Sequence, residues 1–240
     1  MDTQSCRAKI MILGDVHGDW GPMNALLNKK QPDIVLQCGD FGYWHYESLS
    51  KSYRGRLSNK LRVSVPKMPA GCKLYWCDGN HENHWALKSR TTDELWPNVT
   101  YMPRGSIMEL PDGRKVMFAG GAHSVDKQWR KLGIDWFPEE VLSMADCAKF
   151  PTSQKVDILI SHTCPNEFRM ESDQQDRISD CSRDALSMVL RLYRPDQWFF
   201  GHWHRYAVGR WASLDGQDID CRWQCVTMAG QSGWWTWLTD

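Results

Sequence analysis

Asp15 and His17 stand one residue apart in the stretch GDVHG, residues 14–18. A carboxylate oxygen and an imidazole nitrogen together make a usable ligand pair for a divalent transition metal. The pair alone could equally be a turn aspartate beside a surface histidine, because a five-residue motif has many chance matches. Further down the chain the same kinds of residue recur. IVLQCGD ends in Asp40, KLYWCDGNH runs into Asn80 and His81, VDILISH ends in His162, and WFFGHWH carries His202 and His204. Imidazole and carboxylate favour Mn, Fe, Zn, Ni or Co over Ca but do not select among them; manganese is the first expectation.

The elements that position these residues share one pattern. Each is a short apolar run, read as a buried strand, ended by Gly or Ser and then by a ligand-type residue. At an extended tip, residues i and i+2 point the same way, which predicts that Asp15 and His17 converge. Gly14 and Gly18 would admit unusual backbone angles beside them. In open α/β sheets, the carboxyl ends of the strands form the ligand crevice. Besides His81, five such ends deliver Asp, His, Asp, Asn, His, His and His, which favours one metal centre over scattered turn residues and core histidines.

The series GDVHG, GD, GNHE, H and GHWH, spread from residue 14 to residue 204, resembles the calcineurin-like metallophosphoesterase superfamily, in its compact bacterial and phage form. The resemblance implies an α/β fold, a four-layer αββα sandwich of two mixed β-sheets flanked by helices, with two divalent metal ions. It implies that Asp15, His17 and His204 hold one metal, that Asn80, His162 and His202 hold the other, and that Asp40 bridges both. His81 would face the substrate. The implied reaction is in-line attack on a phosphoester by a metal-bridging hydroxide, with Asp40 and His81 as the catalytic residues. Two metals can clamp the attacking and leaving oxygens, and metal charge lowers the pKa of bound water. His81 would stabilise phosphoryl charge or protonate the leaving oxygen.

One departure separates the chain from the serine/threonine phosphatase branch. That branch resembles GDxVDRG after the bridging aspartate, with an Asp that orients the catalytic histidine and an Arg that grips phosphate. Here the stretch reads GDFGYWH, with Tyr43 and Trp44 in their places. Arg130 or Lys127, in GGAHSVDKQWR, could supply the phosphate contact, since arginine offers a two-pronged fork. His123 shares that loop. The ordinary alternative is a polar loop with solvated charges. His45, with Tyr43, is a pocket candidate in an aromatic and basic stretch, residues 41–62, that reads equally as a substrate wall or as core plus a solvated helix face. His84, three residues past His81, is a further substrate-binding candidate, set against a surface or capping histidine.

Periodicity and turn signals predict helices over residues 20–30, 83–95, 138–149 and 182–194, the last capped by Ser182. They also predict a hairpin turned at Asp112-Gly113 and a closing hairpin turned at Asp215-Gly216. Residues 168–182 read as an irregular loop over the site. The tryptophan-rich GWWTWL near the end reads as core packing, or as the surface of a homodimer.

The 240 residues carry 29 basic and 29 acidic side chains, so there is no overall electrostatic case for duplex nucleic acid or an anionic membrane. No stretch is apolar and long enough for a signal segment or a membrane span, and nine cysteines without a paired framework suggest reduced thiols. These features predict a cytoplasmic protein with a single domain over residues 1–240. The expected activity is that of a phosphodiesterase or phosphatase on nucleotides or small phosphorylated molecules. Alternatives are a nuclease on short or single-stranded nucleic acid, a serine/threonine-type protein phosphatase, and a non-catalytic scaffold on the same fold.

Overall fold

The computed structural model describes residues 8–44, 65–170, 180–213 and 220–239. The chain runs through β1 (Ile10–Leu13), α1 (Trp20–Lys30), β2 (Ile34–Gln37), β3 (Lys73–Trp76) and α2 (His84–Lys88). It continues with β4 (Glu94–Trp96), β5 (Val99–Tyr101), β6 (Ile107–Glu109), β7 (Lys115–Ala119), α3 (Met144–Cys147), β8 (Ile158–Ser161) and α4 (Cys181–Tyr193). It closes with β9 (Gln197–Phe200), β10 (Ala207–Ala212), β11 (Asp220–Cys225) and β12 (Trp235–Trp237).

These strands form two six-stranded mixed sheets, in the orders β12-β1-β2-β3-β5-β4 and β10-β11-β9-β8-β7-β6. In each sheet the four inner strands pair in parallel and the outermost strands pair antiparallel. Alternation along each strand separates three apolar cores. Ile10, Ile12, Leu36 and Cys77 of the first sheet meet Val116, Phe118, Ile158, Ile160 and Phe199 of the second. Met11, Leu13, Val35, Leu74 and Trp76 face outward onto Trp20, Met23 and Leu27 of α1. Met117, Leu159, Trp198 and Phe200 face outward onto Ala185, Leu186, Val189 and Leu190 of α4. Three cores between four layers make the αββα sandwich, as expected.

Several elements depart from their sequence expectations. The helix expected over 83–95 stops at Lys88. Arg90 bends back to bond the Leu87 carbonyl at 2.6 Å, and β4 then pairs antiparallel with β5. The helix expected over 138–149 is broken. A single 3₁₀ turn, Pro138–Glu140, gives way to extended backbone at Val141, and α3 begins afresh on a Ser143/Asp146 capping box. Helix α4 is capped by Asp180, which accepts from the Ser182 and Arg183 amides, rather than by Ser182. Ser182 lies inside the first turn and accepts from Leu142 N at 3.1 Å. The GWWTWL stretch adds β12 to the edge of the first sheet, with Met11 opposite Trp237, and buries Trp234 in the α1-side core. The Asp112-Gly113 hairpin forms as expected, while the Asp215-Gly216 turn, residues 45–64 and residues 171–179 lie outside the described residues.

Candidate metal centre

The carboxyl ends of β1, β2, β3, β8 and β9 meet at one edge of the sandwich. The loop after β1 is fastened to the loop after β2: Val16 N and His17 N both donate to the Asp40 carbonyl, at 3.0 and 2.8 Å. His17, Asp40, His202 and His204 all adopt left-handed backbone, with φ of 51°, 50°, 68° and 49°. The convergence of Asp15 and His17 therefore comes from a left-handed turn rather than from the expected extended tip. Four strained residues in one place are characteristic of sites whose geometry the surrounding fold enforces. Two glycines make room for the ligands. A Cβ at Gly201 would run into Asp15 Oδ1, and one at Gly79 would run into Asp40 Oδ1.

Asp15, His17, Asp40 and His204 place one donor atom each within 4.8 Å of one another. His204 Nε2 lies 3.1 Å from Asp15 Oδ2 and 3.1 Å from His17 Nε2. A second set adjoins the first. Asn80 Oδ1 lies 3.0 Å from both His162 Nε2 and His202 Nδ1, and His162 Nε2 lies 3.3 Å from Asp40 Oδ1. Asp40 thus turns Oδ1 toward His162 and Oδ2 toward His17, whose Nδ1 is 3.7 Å away. Its backbone-facing contact is the His81 amide, which donates to Oδ1 at 2.7 Å.

The donor set passes a chemical test for a cation. His162 Nδ1 faces the Cys38 carbonyl at 2.9 Å, which can only accept, so Nδ1 carries the proton and Nε2 presents a lone pair. That lone pair faces the oxygens of Asn80 and Asp40, and only a positive charge placed among them relieves three converging acceptors. A proton on Nε2 can take that place: burial opposes charge on His162, but Asp40, then Asp15 and the Cys38 carbonyl, outweigh it and raise its pKa to about 10, so a metal ion binding there displaces this proton. Burial, and then the neighbouring His162, hold His202 neutral, as a metal ligand must be. Burial would raise Asp40, yet His162, His81 and His17 keep it ionised, well below the usual carboxylate range.

His81 sits at the edge of this centre, its ring 4.9 Å from that of His17. Burial first, and then cations that include Arg130, lower its pKa to about 4 despite Asp40. Arg130 Nη2 lies 2.8 Å from His81 Nε2 and must be the donor, since a guanidinium has no acceptor. The Asp126 carboxylate holds Arg130 from behind, at 2.8 Å. His84 is drawn inward, only 6% exposed, with Nε2 at 3.1 Å from the Gly79 carbonyl and Nδ1 at 3.9 Å from Asp78. His123 is half-buried, in the loop that follows β7. Tyr43 packs by its ring on Trp76 and Trp96, Trp44 lies against Phe137, and His45 is outside the described residues.

Four supporting residues escaped sequence reasoning. Glu82 is wholly buried and accepts from Gly42 N at 3.0 Å and Gly79 N at 2.6 Å, tying the GDFG loop to the GNHE loop. Asp78 accepts from Arg104 Nε at 2.9 Å and Nη2 at 2.6 Å and from the Tyr101 hydroxyl at 2.9 Å. Arg104 also holds the carbonyls of Glu139, Glu140 and Val141. Ser124 accepts from the Asn80 amide at 3.1 Å. The adjacency of Glu82 and Asp78 to the ligand motif was the available signal for two of them. Arg104 and Ser124 come from distant loops and carried none.

Residues 8–206 match the family profile described as calcineurin-like phosphoesterase, and the chain belongs to that family. The fold is that of a metallophosphoesterase, and Asp15, His17, Asp40 and His204 form a candidate metal-binding group. Among solved structures, the chain is similar to a protein of Thermus thermophilus, at 13% identity and TM-score 0.44, with 90% of this chain and 88% of that one covered. It is also similar to a phosphopantetheinyl hydrolase of Mycobacterium tuberculosis, at 13% identity and TM-score 0.44, covering 97% and 96% of the two chains. A third similar structure is an anchor protein of the Plasmodium inner membrane complex, at 11% identity and TM-score 0.42, covering 91% and 71%. No curated protein sequence matches. Among the described residues no helix is long and apolar enough to cross a membrane.

Proposed function

We propose that the chain, acting as one domain, is a dinuclear-metal phosphoesterase that hydrolyses nucleotides or other small phosphorylated molecules. The observation that carries this reading is the sharing of Asp40 between two donor sets, with one oxygen turned to each. Asp15, His17 and His204 would hold one cation, and Asn80, His162 and His202 the other, with manganese the first choice for both. When bound, such ions supply Lewis acidity and a nucleophilic water at neutral pH. The protein's own part is to orient and to balance charge. Arg130 is assigned the phosphoryl contact that the missing GDxVDRG arginine would make, because its guanidinium is braced by Asp126 and stands beside His81. His81, which accepts from Arg130, is assigned to the same developing charge.

A neutral net charge favours a small substrate over duplex nucleic acid, whose binding depends on cationic surface. The nuclease alternative relied on residues 41–62, of which 45–62 lie outside the described residues. The test is turnover, with Mn²⁺ added, on a chromogenic phosphate monoester and a chromogenic phosphodiester. We expect hydrolysis of at least one, abolished in Asp40→Ala together with loss of bound metal. Inactivity on both esters at full metal loading would overturn the proposal in favour of a non-catalytic scaffold.

A further inference from the structure

Three loops of the centre run on into the walls of one cavity of about 510 Å³, a volume within the range of small-molecule sites. Tyr43 follows Asp40, Asn83 and Trp85 follow His81, and Gly133 follows Arg130, and all four line the cavity together with Arg90 and Glu94. The loops are joined beside it. Asn83 N donates to the Tyr43 carbonyl at 2.9 Å, and Arg130 Nη1 reaches the Asn80 carbonyl at 3.5 Å. The cavity wall and the candidate reacting centre are thus parts of the same loops.

The chemistry of the lining narrows what fits. Trp85 is 48% exposed, yet its ring is held in place. It meets Phe137 edge to face, with centroids 5.2 Å apart, and Gly133 packs so close that a Cβ there would come within 2.5 Å of the indole. An indole that is fixed and still open to solvent is a platform for stacking. Tyr43 is braced by Trp96, its ring centroid 5.7 Å away, and among the described residues its hydroxyl makes no hydrogen bond. The two charged lining side chains are already committed. Arg90 donates to Asp93 and to the Leu87 carbonyl, both at 2.6 Å, and Glu94 accepts from Asn98 N at 2.8 Å. A second phosphate or an ionised side chain would therefore be desolvated there without a fresh counter-charge. An uncharged planar ring with polar edges meets a flat apolar surface and a phenol able to donate or accept.

We propose that this cavity is a nucleobase subsite, in which Trp85 stacks on the base of a nucleotide and the Tyr43 hydroxyl bonds its edge while the phosphoryl group lies at Arg130 and His81. This rests on the phosphoesterase reading above and narrows its substrate to nucleotides. The experiment compares two matched pairs of esters with Mn²⁺ added: thymidine 5′-(p-nitrophenyl phosphate) against methyl p-nitrophenyl phosphate, and adenosine 5′-monophosphate against ribose 5-phosphate. We expect the parent to prefer the base-bearing member of at least one pair in kcat/KM. Trp85→Ala should cut that preference by about 10–100-fold, through KM rather than kcat, as loss of one stacked base does. Trp85→Phe, which keeps a ring, should retain most of it. Tyr43→Phe, which removes only the hydroxyl, should cut it by about 3–10-fold. A parent that handles both members of each pair equally, or a Trp85→Ala chain with the parent's preference, overturns the inference. Should Trp85→Ala fail to fold, Tyr43→Phe decides by the same criterion. A parent that hydrolyses none of the four esters at full metal loading overturns the phosphoesterase reading instead. Equilibrium dialysis of adenosine 5′-monophosphate and of ribose 5-phosphate then decides the cavity, and equal binding of the two overturns it.

Discussion

Replacing Arg104 with methionine keeps much of the stem's packing and removes a guanidinium that is only 16% exposed. The loss falls on Asp78, whose carboxylate is 1% exposed and would keep only the Tyr101 hydroxyl and the more distant His84. It also orphans the carbonyls of Glu139, Glu140 and Val141, which Arg104 holds at 2.8–3.0 Å. Breaking a buried ion pair from one side costs about 3–5 kcal/mol. For a chain of this size that is a fall in Tm of roughly 10 °C. The sign of the pH dependence follows from Asp78. Burial would raise its pKa, but Arg104 and His84 outweigh burial and lower it, so in the parent it contributes stability above its unfolded pKa that is lost as pH falls through the folded one. In Arg104→Met the burial cost is left uncompensated and the folded pKa moves above the unfolded one. The difference between parent and variant should then grow as pH rises from about 4 toward 7. Urea denaturation of both chains in the presence of chelator, at several pH values in that range, measures it. A loss below about 1 kcal/mol at pH 7, the level of an exposed pair, would refute the buried-pair reasoning. So would a loss that does not shrink on acidification.

The remaining predictions concern the centre itself. Arg130→Ala should lower kcat by about 10²–10³-fold on the preferred ester with metal content unchanged, as removal of one charge-stabilising donor does, and Arg130→Lys should recover part of it; an unchanged kcat removes Arg130 from the phosphoryl site. His81→Ala should leave bound metal intact, measured by elemental analysis, and reduce turnover by about 10²-fold. Equal turnover would end its assigned role. Gly79→Ala forces a methyl group against Asp40 Oδ1, so metal binding should weaken even where circular dichroism reports a folded chain; full metal content at parental affinity would show that the loop has room to yield.

Sequence by itself determined the parts that depend on local pattern. Apolar runs at Ile10–Leu13, Ile34–Gln37, Lys73–Trp76, Ile158–Ser161 and Gln197–Phe200 form strands because nearly every side chain in them can be buried on one sheet face or the other. The ligand types at their ends were legible for the same reason, and so were α1 and the Asp112-Gly113 hairpin. Tertiary structure decided whatever depends on a partner remote in sequence. The left-handed turns at His17 and Asp40 are held by hydrogen bonds between two loops, and no local propensity announces them. Helical periodicity over 138–149 gave way because Arg104, more than thirty residues earlier, claims the Glu139–Val141 carbonyls, and because Glu140 is more useful inside, against Ser124 and Trp136, than in a first helical turn. The last tryptophans read as core, yet only the free edge of β1 made them a strand. Local periodicity records which face of an element is apolar, whereas hydrogen bonds between distant loops record how the elements meet.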